Sequence, residues 1–156
     1  MALDVNLLRE SFQLVLERNP TLTSSFYDVL FERYPEARPL FSRSLRNVQE
    51  KMLGQALGAV MDHLEDAPWL TQTLGEMGAR HVGYGVTPEM YDWVGDALLR
   101  TLAATAGNDW TPALEQNWGE AYGVIVALMR AGEVRAGRRD GARSVTASAE
   151  GASTSP

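Results

Sequence analysis

The chain has 156 residues, 45% hydrophobic and 22% charged, with no cysteine. That suits one domain with a sizeable core, and it excludes disulfides, iron–sulfur clusters and thiolate-ligated metals. The formal net charge of -6 speaks against nucleic acid as a partner. No run approaches the ~20 apolar residues of a membrane span. Met1 to Asp4 carry neither a basic segment nor a signal-like apolar run, so a cytoplasmic location is expected.

Strand signals are nearly missing and helical periodicity dominates. Asp4 is a plausible N-cap for a first helix to Arg18, with Val5, Leu8, Phe12, Val15 and Leu16 as its apolar stripe. Asn19-Pro20 stops it. A second helix runs from near Thr21 to Tyr34. In Pro35–Phe41 the two prolines exclude a long helix and allow one tight helical turn. After a loop at Ser42 to Ser44, a long helix is expected from Leu45 to Leu64, its stripe including Val48, Met52, Leu53, Leu57 and Val60. Gly54 and Gly58, four apart within it, point to a close helix crossing, since each glycine costs up to ~1 kcal/mol in a helix interior. Asp66-Ala67-Pro68 starts a fourth helix with the stripe Leu70, Leu74, Met77 and His81, ending at Gly83 to Gly85.

Thr87-Pro88-Glu89 opens a fifth helix, to about Ala106, with a cap, a proline and an acid in its first turn. Thr111-Pro112 opens the last in the same way. Its stripe is Leu114, Trp118, Tyr122, Ile125, Met129 and Glu133. From about Gly137 the stripe disappears into Ala, Gly, Ser, Thr and Arg, which reads as a disordered tail over 137–156 after a domain at 1–136. Six unequal helices with proline-containing connections favour crossed-helix packing around a cavity over an up-down bundle.

There are two histidines. His63 ends an acidic helix and reads as an exposed residue near a C-terminus, where a cation is favourable. It follows Leu53 by ten residues, hence lies ~15 Å along the helix and ~80° off that face. A second ligand to one shared site from there is implausible. His81 closes an apolar stripe, where it is either a hydrogen-bonded core residue or a ligand. With no His or Cys cluster, sites built from several protein ligands are poor. A lone histidine suits haem, because the porphyrin supplies the other four donors. Tyr91 faces inward after the next cap. Glu133 continues an apolar stripe, which is costly unless it is paired; a frayed helix end beside Arg130 is the alternative.

Six segments make the chain recognisable. They are Ser25-Phe26-Tyr27; Tyr34-Pro35-Glu36 with Leu40-Phe41; Gln49-Glu50-Lys51-Met52-Leu53; Ala79-Arg80-His81; Pro88-Glu89-Met90-Tyr91; and Trp118-Gly119-Glu120-Ala121-Tyr122-Gly123-Val124. Over Leu8 to Arg135 the chain resembles bacterial single-domain haemoglobins of Vitreoscilla-haemoglobin type and the globin domain of flavohaemoglobins. The last two segments are the most specific, and the spacings His81 to Tyr91 and Tyr122 to Glu133 match the family. The segment from Phe41 to Gln49 is about two residues shorter than in the family, while Gln49 to His81 keeps the family spacing.

The resemblance implies an all-α globin fold, a domain at 1–136, and haem b held by His81 as the iron ligand. Tyr91 and Glu133 would hydrogen-bond behind the imidazole and make it more electron-donating. Phe41 would pack on the porphyrin and Leu53 would form an apolar wall. Tyr27 would donate to bound dioxygen, with Gln49 as its polar partner. Read without the family, Tyr27, Phe41 and Leu53 are simply core and Gln49 is surface. The implied ligands are dioxygen, nitric oxide and carbon monoxide. Reversible dioxygen binding for transport or storage, or nitric oxide dioxygenation, would both use this site. After Glu133 no G-x-G-x-x-G turn follows, so turnover would need a separate reductase. Two rival readings are a haem-free globin-like sensor or interaction domain and a peroxidase-like haem enzyme. Trp69, Trp93 and Trp110, if exposed, would mark a homodimer interface.

Overall fold

The structure, a computed structural model, describes residues 3–42 and 44–152, with side chains to residue 137. The described residues form α1 (Val5–Arg18), α2 (Leu22–Arg33), a 3₁₀ turn (Pro35–Phe41), α3 (Arg46–Asp62), α4 (Ala67–Gly83), α5 (Pro88–Ala106), a short 3₁₀ turn (Gly107–Asp109) and α6 (Pro112–Ala152). There is no strand among them.

The caps explain most of these boundaries. The Asp4 carboxylate accepts from the Leu7 N–H at 3.0 Å, and the Asp66 carboxylate accepts from the Trp69 N–H at 3.1 Å, each satisfying an orphan donor of a first turn. Thr111 Oγ1 accepts from the Leu114 N–H at 3.2 Å and opens α6. The turn after α4 passes through Gly85 at φ +89°, a left-handed conformation that glycine adopts without strain.

Two apolar clusters fill the interior. The larger joins α1, α2, α5 and α6 through Leu8, Phe12, Val15, Leu22, Phe26, Leu30, Leu102 and Trp118, with Phe41, Leu53 and Leu57 packed on its edge. The smaller holds Val60, Leu74, Tyr91 and Met129, with Met77, Val86 and Ile125 on its edge. Leu64 packs against both. The main neighbour of α3 is α2, whereas α4 lies chiefly on α6. Buried polar groups are partnered: the Trp118 indole N–H donates to Ser11 Oγ at 2.9 Å, and Ser11 Oγ donates to the Leu7 carbonyl at 2.7 Å.

Several expectations shift. Leu16 is exposed rather than core. Leu45, Val48 and Met52 are exposed by 70%, 45% and 57%, because α3 packs on its neighbours with the face carrying Leu53, Leu57 and Val60. Gly54 and Gly58 do not make the close crossing. A Cβ on Gly54 would meet Thr23 Cγ2 at an ordinary 3.7 Å, and one on Gly58 would meet nothing within 4 Å. The tight crossing is α4 on α6, where Gly75 and Gly78 press against Gly132 and the backbone of Met129. His63, expected in solvent, is half-buried. Its ring stacks on Trp69 at 3.8 Å and its Nδ1 pairs with the Ala59 carbonyl at 2.8 Å. Trp69, Trp93 and Trp110 are half-buried too. Trp93 stacks on Tyr34 at 5.5 Å, and the Trp110 indole donates to Glu115 at 3.0 Å, so all three aromatic residues are engaged within the chain.

Helical backbone continues past Gly137 to Ala152, beyond the end of the apolar stripe. The expected tail therefore coincides with helical backbone to Ala152; its side chains from 138 and its backbone from 153 lie outside the described residues.

Candidate functional site

His81 sits in the last turn of α4, half-buried. Its Nδ1 lies 2.6 Å from the Met77 carbonyl, one helical turn back. A carbonyl only accepts, so Nδ1 carries the proton and donates it. The imidazole is thereby fixed as the tautomer whose Nε2 lone pair is free to act as a ligand. Among the described residues Nε2 has no hydrogen-bond partner. No three His, Asp or Glu side chains there form a metal-binding group, so His81 stands as a single protein donor.

Behind α4, the Tyr91 hydroxyl donates to Glu133 Oε1 at 2.5 Å, joining α5 to α6. This places the glutamate on a phenol rather than on Arg130 or in water. Burial, then the hydrogen bond to Glu133, raises the Tyr91 phenol above its usual range. The Tyr122 hydroxyl donates to the Tyr91 carbonyl, and its ring lies where a side chain on Gly95 would stand. Tyr91 is thus held from both ends. Its ring is buried in the small cluster against which Met77 packs. The pair makes no direct bond to the His81 ring, whose Nδ1 donates instead to the Met77 carbonyl.

The second group of residues lies between α2, the Pro35–Phe41 turn and α3. Tyr27 is only 5% exposed. It packs against Phe26, Phe31 and Phe41 at centroid distances of 5.1, 5.8 and 5.5 Å. Its hydroxyl has no hydrogen-bond partner among the described residues, and the residue borders a cavity of about 160 Å³ lined also by Phe31, Arg38, Phe41, Ser44, Arg46 and Gln49. Burial chiefly, assisted by the Glu50 carboxylate and opposed by Arg46, pushes the Tyr27 hydroxyl up to about 12. It therefore remains a protonated donor at any physiological pH. Gln49 is half-buried on this cavity, and Leu53 packs at the edge of the same core.

The sequence-derived residues thus fall into two sets: Tyr27, Phe41, Gln49 and Leu53 in one cluster, His81, Tyr91 and Glu133 about the other. The sequence reading missed Met77, although a side chain one turn beyond a carbonyl has an obvious local acceptor. It also missed Arg38, Ser44 and Arg46 as cavity walls, which no periodicity marks.

The globin family model matches residues 24–129. The chain belongs to the globin family. It is 30% identical over 126 residues to a flavohemoprotein of Pseudomonas putida, covering 79% of this chain and 32% of that protein. A flavohemoprotein of Vibrio cholerae is 28% identical over 120 residues, covering 76% of the chain and 30% of its own length. The chain therefore spans about a third of the length of these relatives. Among solved structures, an engineered carbene transferase from Rhodothermus marinus, given as a candidate nitric oxide dioxygenase, superposes with a TM-score of 0.74 at 28% identity. That match covers 86% of this chain and 95% of the other. A bacterial globin from Campylobacter jejuni has a TM-score of 0.70 at 24% identity, over 84% and 94% of the two chains, which attests the fold.

The residues present fit the prosthetic group of this family. Nε2 of His81 is presented as a lone-pair donor. Five of the eight exposed large hydrophobic residues, Leu45, Val48, Met52, Val82 and Tyr84, lie on α3, just before it, or around the end of α4. Those are the elements that carry Leu53 and His81, and exposed apolar side chains on them suit a large apolar group as cover. No described helix is long and apolar enough to cross a membrane.

Proposed function

We propose that this globin binds haem b through Nε2 of His81 and holds dioxygen reversibly beside Tyr27, as a cytoplasmic protein. The observation that carries the reading is the 2.6 Å contact of His81 Nδ1 with the Met77 carbonyl, which leaves the other ring nitrogen as a ligand. Haem, when bound, supplies the iron that holds a diatomic gas and passes electrons. The chain's own residues do the rest. Met77 fixes the imidazole tautomer. Tyr91 and Glu133, locked together, brace the cluster on which Met77 rests. Phe41 and Leu53 exclude water from the apolar side. The Tyr27 hydroxyl, unpartnered and protonated, donates to the gas, with Gln49 as a second polar group on the same cavity.

The same site supports nitric oxide dioxygenation, in which nitric oxide, dioxygen and one electron give nitrate. The flavohemoprotein relatives favour this use, with the electron supplied by a reductase. A peroxidase role gains less support. A peptide carbonyl is a weaker acceptor for the Nδ1 proton than a carboxylate, so it makes the imidazole less electron-donating.

The test is an optical spectrum of the haemin-reconstituted chain in ferric, ferrous and carbonyl forms. A Soret band shifted by carbon monoxide and abolished in His81→Ala is expected. A chain that stays colourless with haemin refutes the proposal and leaves a haem-free role.

A further inference from the structure

The cavity beside Tyr27 has an unusual lining. Its polar groups are a phenol, a hydroxyl, a primary amide and two guanidinium groups, from Tyr27, Ser44, Gln49, Arg38 and Arg46. Every one of them can donate a hydrogen bond, and no carboxylate is among them. The remaining walls are the rings of Phe31 and Phe41. In a chain of net charge -6, the lining itself carries two positive groups and no negative one.

The two arginines differ. Arg46 is committed: it pairs with Asp28 at 2.5 Å and Glu50 at 2.9 Å and donates to the Ser24 carbonyl at 2.9 Å. Its charge is already met. Arg38 makes no ion pair among the described residues. Its guanidinium rests 5.1 Å over the Phe31 ring, which fixes its place at the cavity without neutralising it. Tyr27, 5% exposed as a residue, lines the same space, and its hydroxyl spends its donor on no described residue.

The geometry points to a subsite for a small monovalent oxyanion, of the size of nitrate or nitrite, held between the Arg38 guanidinium and the Tyr27 hydroxyl. A cavity of about 160 Å³ is well above the ~10–15 Å³ that a single water needs and too small for a phosphorylated metabolite. A guanidinium fork matches two oxygens of such an ion. The Glu50 carboxylate, near enough to act on Tyr27 but turned onto Arg46, weakens the subsite without closing it. Anion binding itself does not depend on the haem reading.

The experiment uses the haemin-reconstituted chain in its ferrous carbonyl form, so that the iron is closed to added ions. Sodium nitrate and sodium nitrite are titrated against sodium chloride at equal ionic strength, with calorimetry and the C–O stretching frequency as readouts. Saturable binding is expected for nitrate, nitrite or both, beyond the chloride effect. It should weaken at least tenfold in Arg38→Gln and tighten several-fold in Glu50→Gln. Arg38 is exposed, so its loss leaves the core intact, and the opposite sign in Glu50→Gln guards against a merely general effect. Responses equal to chloride, or equal affinities in the parent and Arg38→Gln, overturn the subsite. Saturable nitrate binding in a chain that takes up no haemin would support the subsite while refuting the haem reading. A normal carbonyl spectrum without saturable anion binding would do the reverse.

Discussion

The contact of α4 with α6 predicts that one substitution has opposite effects at two glycines of adjacent helices. At Gly78 a methyl group would overlap the Met129 carbonyl, lying 2.6 Å from its carbon and 2.8 Å from Met129 Cα. Carbon–carbon contacts settle at about 3.5–4.0 Å, and the carbonyl oxygen is closer still, so the two backbones must part by an ångström or more. Neither is a side chain that can swing away. Overpacking of this kind costs about 1–3 kcal/mol, against a gain of up to ~1 kcal/mol from alanine's helix propensity. At Gly58 the methyl meets nothing within 4 Å, so only the gain remains. Gly78→Ala should therefore lower stability in urea unfolding by up to about 2 kcal/mol, while Gly58→Ala should raise it by as much as ~1 kcal/mol. In a chain of this length each kcal/mol moves the midpoint temperature by roughly 2–4 °C. His81 lies one turn beyond Gly78, so Gly78→Ala should also speed haem loss to an acceptor protein, and Gly58→Ala should not. Equal shifts of the same sign at both sites would refute the close crossing.

Tyr27→Phe removes the unpartnered donor. A hydrogen bond of ~1–3 kcal/mol to bound dioxygen implies roughly 5- to 150-fold faster dissociation in stopped-flow mixing, and an unchanged rate would remove Tyr27 from that role. Glu133→Gln breaks a charge-assisted bond to Tyr91 and should cost about 1–3 kcal/mol in chemical unfolding. Because His81 Nδ1 is tied to Met77 and not to Glu133, the iron–histidine stretching frequency of the ferrous chain should stay put; a clear drop would show that the carboxylate acts on the imidazole directly. Burial raises Tyr27, Tyr91 and Tyr122 above the ordinary phenol value. Below pH 10 they are neutral in both states. Above it the unfolded chain loses these protons first, so stability must fall as pH rises from 10 toward 12, by at most about 1.4 kcal/mol per pH unit for each tyrosine. Ultraviolet titration should show their ionisation only together with unfolding; free titration near pH 10 would contradict their burial.

How much of this was legible in the sequence depends on how local the signal is. Caps and prolines gave the helix starts nearly residue by residue, because Asp4, Asp66 and Thr111 act within their own first turn. The cost of a carboxylate on an apolar stripe asked for a partner of Glu133 without naming it; the family resemblance set the residue behind the His81 imidazole, and the structure puts it on Tyr91. What was hidden depends on which helices meet. Gly54 and Gly58 suggest a close crossing by spacing, yet Gly75 and Gly78 make it, since α4 has a glycine opposite it on α6, at Gly132, while on α3 Gly54 meets only Thr23 and Gly58 meets nothing. Leu45, Val48 and Met52 read as core by period and stand exposed, because period states that a face is apolar and not what covers it. His81 combines both kinds of information. Its stripe placed it at the protein interior, and the carbonyl of Met77 decides which nitrogen faces outward from the ring. That choice follows from the helix alone, and it prepares a ligand before any partner on another helix is involved.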